Sequence, residues 1–285
     1  MAGHESDACG NGRTVMTRMK RKSIVTLVLC IGYGITTFAQ VDGRIKIKGS
    51  DKAVSGKIRW SSAEKAYEVV RQDTGRSTRV PLRNVKRLSV SKPSGLEAAV
   101  KKVRNRSYEG PHIEELRRIV SVYQMLEHDM KAGAYLAEAQ LATGNTRQAA
   151  ATCRKVKENR STLELSGEFV RVYWRTLLEE QNYAALQQEI KETIEKGSRP
   201  AAAVAQLMRG DMDMRKGMYE NALVDGYLRT VILFNDVPAV QPEALYKASQ
   251  CFDELGDAAN AEKMRKKLLA AYPDSNYSKT IQTGG

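Results

Sequence analysis

Pro242–Ser275 reads PEALYKASQCFDELGDAANAEKMRKKLLAAYPDS. Leu245, Ser249 and Phe252 recur at a helical step, Gly256-Asp257 interrupts it, Ala261 and Leu268 resume it, and Tyr272-Pro273 ends it. This is a helix, a break and a second helix. A lone hairpin of that kind cannot bury its apolar stripe, so stacked copies are expected. Turn-like breaks also fall at Arg106, Gly144, Gln181 and Gly217, and together with Gly256 they are spaced by 38, 37, 36 and 39 residues. The period predicts about five helical hairpins over residues 96–275.

The composition agrees with a mainly α class. Of 285 residues, 42% are hydrophobic and 28% charged, enough to enclose a core, and aromatics are only 6%. The net charge of +13 is concentrated. Residues 40–95 hold fourteen Lys and Arg against five Asp and Glu, whereas residues 96–285 hold twenty-seven against twenty-six. A general nucleic-acid coat is thereby disfavoured, and the question becomes what one small basic region touches.

From Met19 the chain reads MKRKSIVTLVLCIGYGITTFAQ, with basic residues at 20–22, an apolar run from Ile24 to Ile35 and small residues before Gln40. These are the three parts of a secretory signal peptide. The expectation is a start at Met19, cleavage after Ala39, and a periplasmic or envelope-associated mature chain without a transmembrane helix, since the run is well short of the roughly 20 residues a span needs. Of the four cysteines, Cys9 and Cys30 leave with the leader. Cys153 and Cys251 lie more than two repeats apart; in a solenoid whose repeats touch only their neighbours they are expected to be buried free thiols.

Residues 40–92 alternate at period two: Arg44-Ile45-Lys46-Ile47-Lys48, then Lys57-Ile58-Arg59-Trp60, Tyr67-Glu68-Val69 and Arg79-Val80-Pro81-Leu82. Four or five short strands are expected, enough for a small all-β barrel-like domain ending at Ser91–Gly95. The order of these segments resembles the small SH3-like or Sm-like barrels, which implies a shape and no activity. With the aliphatics inward, Arg44, Lys46, Lys48, Lys57 and Arg59 face outward as a candidate patch for anionic lipid or glycan. The competing reading is a solvated outer face that keeps the barrel soluble. No aromatic shares the basic parity to stack on bases, so nucleic acid is not expected.

Within the array, Ala137 and Ala149, Gly210 and Ala222, and Ser249 and Ala261 put small residues where helices must approach. With the break glycine and Pro273, these positions resemble the tetratricopeptide repeat, and the fifth unit resembles the repeats of envelope proteins of the Tol-Pal and outer-membrane assembly systems. Two units depart from the pattern: Trp174 stands where a small residue is expected, and Arg209 and Asp213 where apolar ones are. The resemblance implies a groove lined by the first helix of each unit, holding a partner peptide or helix, with Glu138, Arg171, Arg175, Asp211, Tyr246 and Gln250 facing it. Residues 276–285 are expected to be a flexible tail.

Reacting groups are missing. His112 and His128 lack partners at metal or triad spacing, and no nucleophile, phosphate-loop or dinucleotide motif occurs. The sequence therefore predicts a non-enzymatic exported scaffold with a protein partner and no cofactor. The alternative is an envelope-surface module whose basic β domain holds anionic lipid or glycan, with the array as spacer or oligomerisation element.

Overall fold

Period-two alternation gives five strands: β1 (Val41–Ile47), β2 (Ala53–Ser61), β3 (Ala66–Val70), β4 (Ser77–Pro81) and β5 (Val85–Val90). The computed structural model describes residues 40–50 and 53–283. The expected leader and its cleavage point lie outside them. All strand pairs are antiparallel, in the order β4-β3-β2-β1-β5.

The expected barrel is corrected here to an open sheet, because β4 and β5 are its two edges and do not pair. The reason lies in what covers the apolar face. Val41, Ile45, Ile58, Val69 and Val80 share one buried cluster with Leu96, Val100, Leu116 and Leu126, so the helices supply the cover that a closed barrel takes from its own strands.

Helices α1 (Leu96–Arg104) and α2 (Pro111–Val122) form the first hairpin, α3 (His128–Ala142) and α4 (Thr146–Lys157) the second, and α5 (Gly167–Glu179) and α6 (Tyr183–Lys196) the third. The fourth pairs α7 (Arg199–Arg215) with a run of α8 (Tyr219–Asn221), a π-helical stretch (Ala222–Leu228) and α9 (Arg229–Leu233). The fifth pairs α10 (Gln241–Glu254) with α11 (Ala258–Ala271). Residues 276–285, expected to be flexible, carry α12 (Asn276–Gln282) instead. Ser275 caps this helix by accepting from the Ser278 amide, and Tyr277 and Ile281, one turn apart, pack on the core of the fifth hairpin.

All five break residues adopt left-handed backbone: φ is 63° at Arg106, 76° at Gly144, 55° at Gln181, 72° at Gly217 and 76° at Gly256. Each closes its helix by the same two bonds. At Gly144, its amide donates to the Leu141 carbonyl (3.1 Å) and the Asn145 amide to the Gln140 carbonyl (2.7 Å). Equivalent pairs occur at the other four breaks.

The fourth hairpin departs from regularity where the sequence departs from the pattern. A Cβ on Gly226 would fall 2.3 Å from the Gly210 Cα, so α7 and the π-helical stretch meet backbone to backbone. Gly210 is thus a packing glycine, with Gly226 as a counterpart the sequence reading did not identify. Trp174, in the third hairpin, is fully enclosed.

The sheet is tied to the array at one buried node. Asp129 receives both Arg160 guanidinium nitrogens (2.8 and 3.0 Å) and the Met125 amide (2.8 Å), while the Met125 carbonyl accepts the Tyr67 hydroxyl at 2.9 Å. Met125 and Glu127 are themselves left-handed non-glycines, at φ 60° and 67°. Burial, the largest influence on Tyr67, pushes its phenol up to about 12.

Two outcomes are expected. Nothing lies within 4 Å of a Cβ built on Gly144, Gly217 or Gly256. Alanine there is therefore penalised by backbone angle alone, costing about 1 kcal/mol, whereas Arg106→Gly and Gln181→Gly should each gain about 0.5 kcal/mol in urea unfolding. Asp129→Ala strands both a buried guanidinium and an amide, and should cost about 3–5 kcal/mol by the same measurement.

Candidate functional site

The first helices form a row: α1 packs on α3, α3 on α5 and α5 on α7. The exposed edge of α3, α5 and α7, with Tyr219, α10 and α12, encloses a cavity of about 810 Å³. Its apolar part comes from Val172, Val204, Leu207, Met208 and Met214, and charges of both signs surround these.

Most of those charges are already paired. Asp211 accepts from Lys247 Nζ (2.6 Å) and from the Tyr227 hydroxyl (2.8 Å), Lys247 also donates to Glu243 (2.7 Å), and Arg171 reaches the other Glu243 oxygen at 3.2 Å. Arg215 pairs with Glu179. Arg171 belongs to the third hairpin and Glu243 to the fifth. The expectation that each repeat touches only its neighbours is therefore corrected: the row curves enough for alternate repeats to meet.

Burial alone would raise Glu243 and lower Lys247. The facing charges win in both cases, holding Glu243 below and Lys247 above their ordinary values. Tyr277, on α12, is pushed up to about 12 by burial and by Glu243.

Three cavity charges stand apart: Glu138, Arg175 and, on α10, Glu254. Glu138 is half-buried, and loss of solvent raises its pKa against the pull of Arg175. Neither Glu138 nor Arg175 makes a hydrogen bond or ion pair among the described residues.

Of the six expected groove positions, Glu138, Arg171, Arg175 and Asp211 line the cavity. Tyr246 and Gln250 sit beside it: the Gln250 amide donates to the Tyr246 hydroxyl at 3.2 Å, and the Tyr246 ring lies 5.4 Å from that of Tyr277. On α10 the cavity takes Glu243 and Lys247, each three residues earlier than the pair expected, a rotation of about 60°. Both are on the same helical face in the sequence, but nothing in the repeat pattern distinguished that face from the next.

The expected basic patch divides by register. Lys57 stands opposite Asp42, and Arg59 pairs with Glu68, which also faces Arg79 across the sheet. Lys46 stands opposite Arg87, with Arg44 one step diagonal, and Lys48 follows beyond the end of β1. Arg79 and Arg87 belong to this face and were missed, because strand pairing could not be read from spacing.

Cys153 and Cys251 are buried free thiols, each pushed up to about 11, chiefly by burial. Among the described residues, no cluster of three or more His, Cys, Asp and Glu is placed to hold a metal, and no helix is long and apolar enough to cross a membrane.

Against this geometry, residues 243–275, the fifth hairpin, match the tetratricopeptide repeat family. The chain is also similar to the crystal structure of a thermophilic TPR protein of Thermus thermophilus, at 17% identity and a TM-score of 0.47, over 66% of this chain and 97% of that one. No curated protein matches. The array is a TPR-like helical repeat, a class that in general mediates protein–protein interaction.

The charge network predicts a pH-dependent stability difference. Glu243 has a folded value below its ordinary one of about 4.3, so its contribution is present above that value and is lost as pH falls through the depressed one. Lys247→Met should cost about 2 kcal/mol at neutral pH, between an exposed and a fully buried pair, and the gap from the parent should close below about pH 4 in urea melts.

Proposed function

We propose that this chain is a non-catalytic scaffold exported to the bacterial cell envelope, and that its inner-wall cavity holds a segment of a partner protein. The observation that carries the reading is the contrast within the cavity. Most of its wall charges are paired internally, which leaves an apolar strip along α5 and α7 with Glu138 and Arg175 unengaged beside it and Glu254 unengaged on α10. Such a strip fits an amphipathic segment better than a small polar ligand. Glu138, short of solvent and lacking a hydrogen-bond partner, would gain most from a basic side chain on that segment.

Support for the compartment comes from the leader-like residues 19–39, and from the likeness of the fifth hairpin to repeats of envelope scaffolds. Purified from an osmotic-shock fraction, the mature protein should begin at Gln40; retention of residues 19–39 would overturn the export reading.

A photocrosslinking residue at position 175 should capture one protein partner in intact cells, while the same residue at exposed Lys263 on α11 should not. Arg175→Glu and Glu138→Lys should each weaken capture by roughly tenfold, from loss or reversal of one charge contact. Their thermal midpoints should stay near the parent's, because neither side chain holds the fold together. Equal capture at positions 175 and 263 would overturn the groove reading.

A further inference from the structure

The sheet carries a charge arrangement that the fold does not need. In an antiparallel pair, directly opposed side chains on one face sit about 5 Å apart, and like charges there are destabilising. Lys46 on β1 and Arg87 on β5 are such a pair, and Arg44 stands diagonal to Arg87 on the same face. No ion pair to an acid reaches Arg44, Lys46 or Arg87 among the described residues; Arg44 makes only a 3.1 Å bond to the Ser55 hydroxyl. The other half of the face is built differently, since Lys57 faces Asp42 and Arg59 and Arg79 face Glu68. The same sheet thus compensates its cations near β3 and leaves them uncompensated at the β1–β5 edge.

An uncompensated cluster is stabilised by an external anion. Arg44 and Arg87 are exposed, and none of the three lines either of the cavities at Glu138 or beside Trp60. The cluster is therefore displayed on an open face, which suits a continuous charged surface better than a small anion needing enclosure. The face also carries no aromatic side chain to stack on bases.

We propose that Arg44, Lys46 and Arg87, extended by Lys48, dock the protein on a bilayer surface rich in anionic phospholipid. This is a second contact, independent of the cavity. Each cation near such a surface strengthens binding by about fivefold, and the effect fades beyond a Debye length.

The test uses residues 40–285, the mature chain expected from cleavage after Ala39. Co-sedimentation is measured with phosphatidylcholine vesicles and with vesicles containing about one-third phosphatidylglycerol, at roughly 50 and 500 mM salt. Binding is expected only to the anionic vesicles at low salt. The triple variant Arg44→Gln, Lys46→Gln, Arg87→Gln should lose binding by about a hundredfold. Relief of the opposed charges should leave its thermal midpoint unchanged or higher, so the loss cannot be laid to unfolding. Removing the same net charge from exposed helices, by Lys101→Gln, Lys102→Gln and Lys263→Gln, should change binding by no more than about threefold.

Absence of binding to anionic vesicles overturns the proposal, as does an equal loss in the control variant, which would reduce the effect to net charge. Retention on heparin with indifference to vesicles would assign the cluster to a soluble polyanion and overturn the bilayer as its partner.

Discussion

Every part of the array depends on one backbone constraint, a left-handed residue at the end of the first helix of each hairpin. The φ values at Arg106, Gly144, Gln181, Gly217 and Gly256 span only 55° to 76°, and the same pair of amide-to-carbonyl bonds closes each turn. A fixed stop makes a fixed reversal. Repeated at near-constant intervals, it aligns α1, α3, α5 and α7 in one row, and the cavity lies along the exposed edge of α3, α5 and α7. Three of the stops are glycines, which meet the angle without strain. At Arg106 and Gln181 an exposed ordinary residue takes the same angle, closed by the same pair of backbone bonds, against a local penalty of about 1–2 kcal/mol.

The sheet joins this array through geometry more than through area. Asp129 and Arg160 are both nearly inaccessible, and a buried ion pair is weak evidence for net stability because desolvation offsets most of its attraction. Its effect is positional. Asp129 fixes the Met125 amide, Met125 fixes the Tyr67 hydroxyl, and two left-handed residues in the α2–α3 connection are held in place as a result. Arg160 arrives from the connection between α4 and α5, so one cluster links the sheet with the connections on either side of the second hairpin. With its apolar face covered in this way the sheet has no need to close, and β4 and β5 remain as edges.

The period of the breaks was legible because a left-handed stop demands glycine or a tolerant polar residue, and that demand leaves a mark in the sequence. Strand parity was legible for the same kind of reason: Ile45 and Ile58 alternate with Lys46 and Lys57, and the buried face follows. Pairing was not. No local feature says that Arg87 will lie against Lys46, because β5 returns to β1 from some forty residues away. Nor does the repeat pattern say that α10 turns Glu243 and Lys247 inward, where Lys247 meets Asp211 of α7. The π-helical stretch at Ala222–Leu228 was hidden too. Gly210 was visible as a small residue, but its meaning came from Gly226, sixteen residues on, which meets it backbone to backbone.

Charge is handled in opposite ways on the two surfaces, and magnitudes explain why. Where the cavity wall is most sheltered, an unpaired charge would be costly, and there Asp211, Glu243 and Lys247 neutralise one another at 2.6–2.7 Å, with the more exposed Arg171 joining at 3.2 Å. On the open face of the sheet, solvent screens an opposed Lys46 and Arg87 to a penalty of about 1 kcal/mol or less, which a fold of this size tolerates. Glu138 falls between these regimes. It is too sheltered to be indifferent and too exposed to have forced a partner into its own chain, and the pull of Arg175 across the wall between α3 and α5 only partly offsets its loss of solvent.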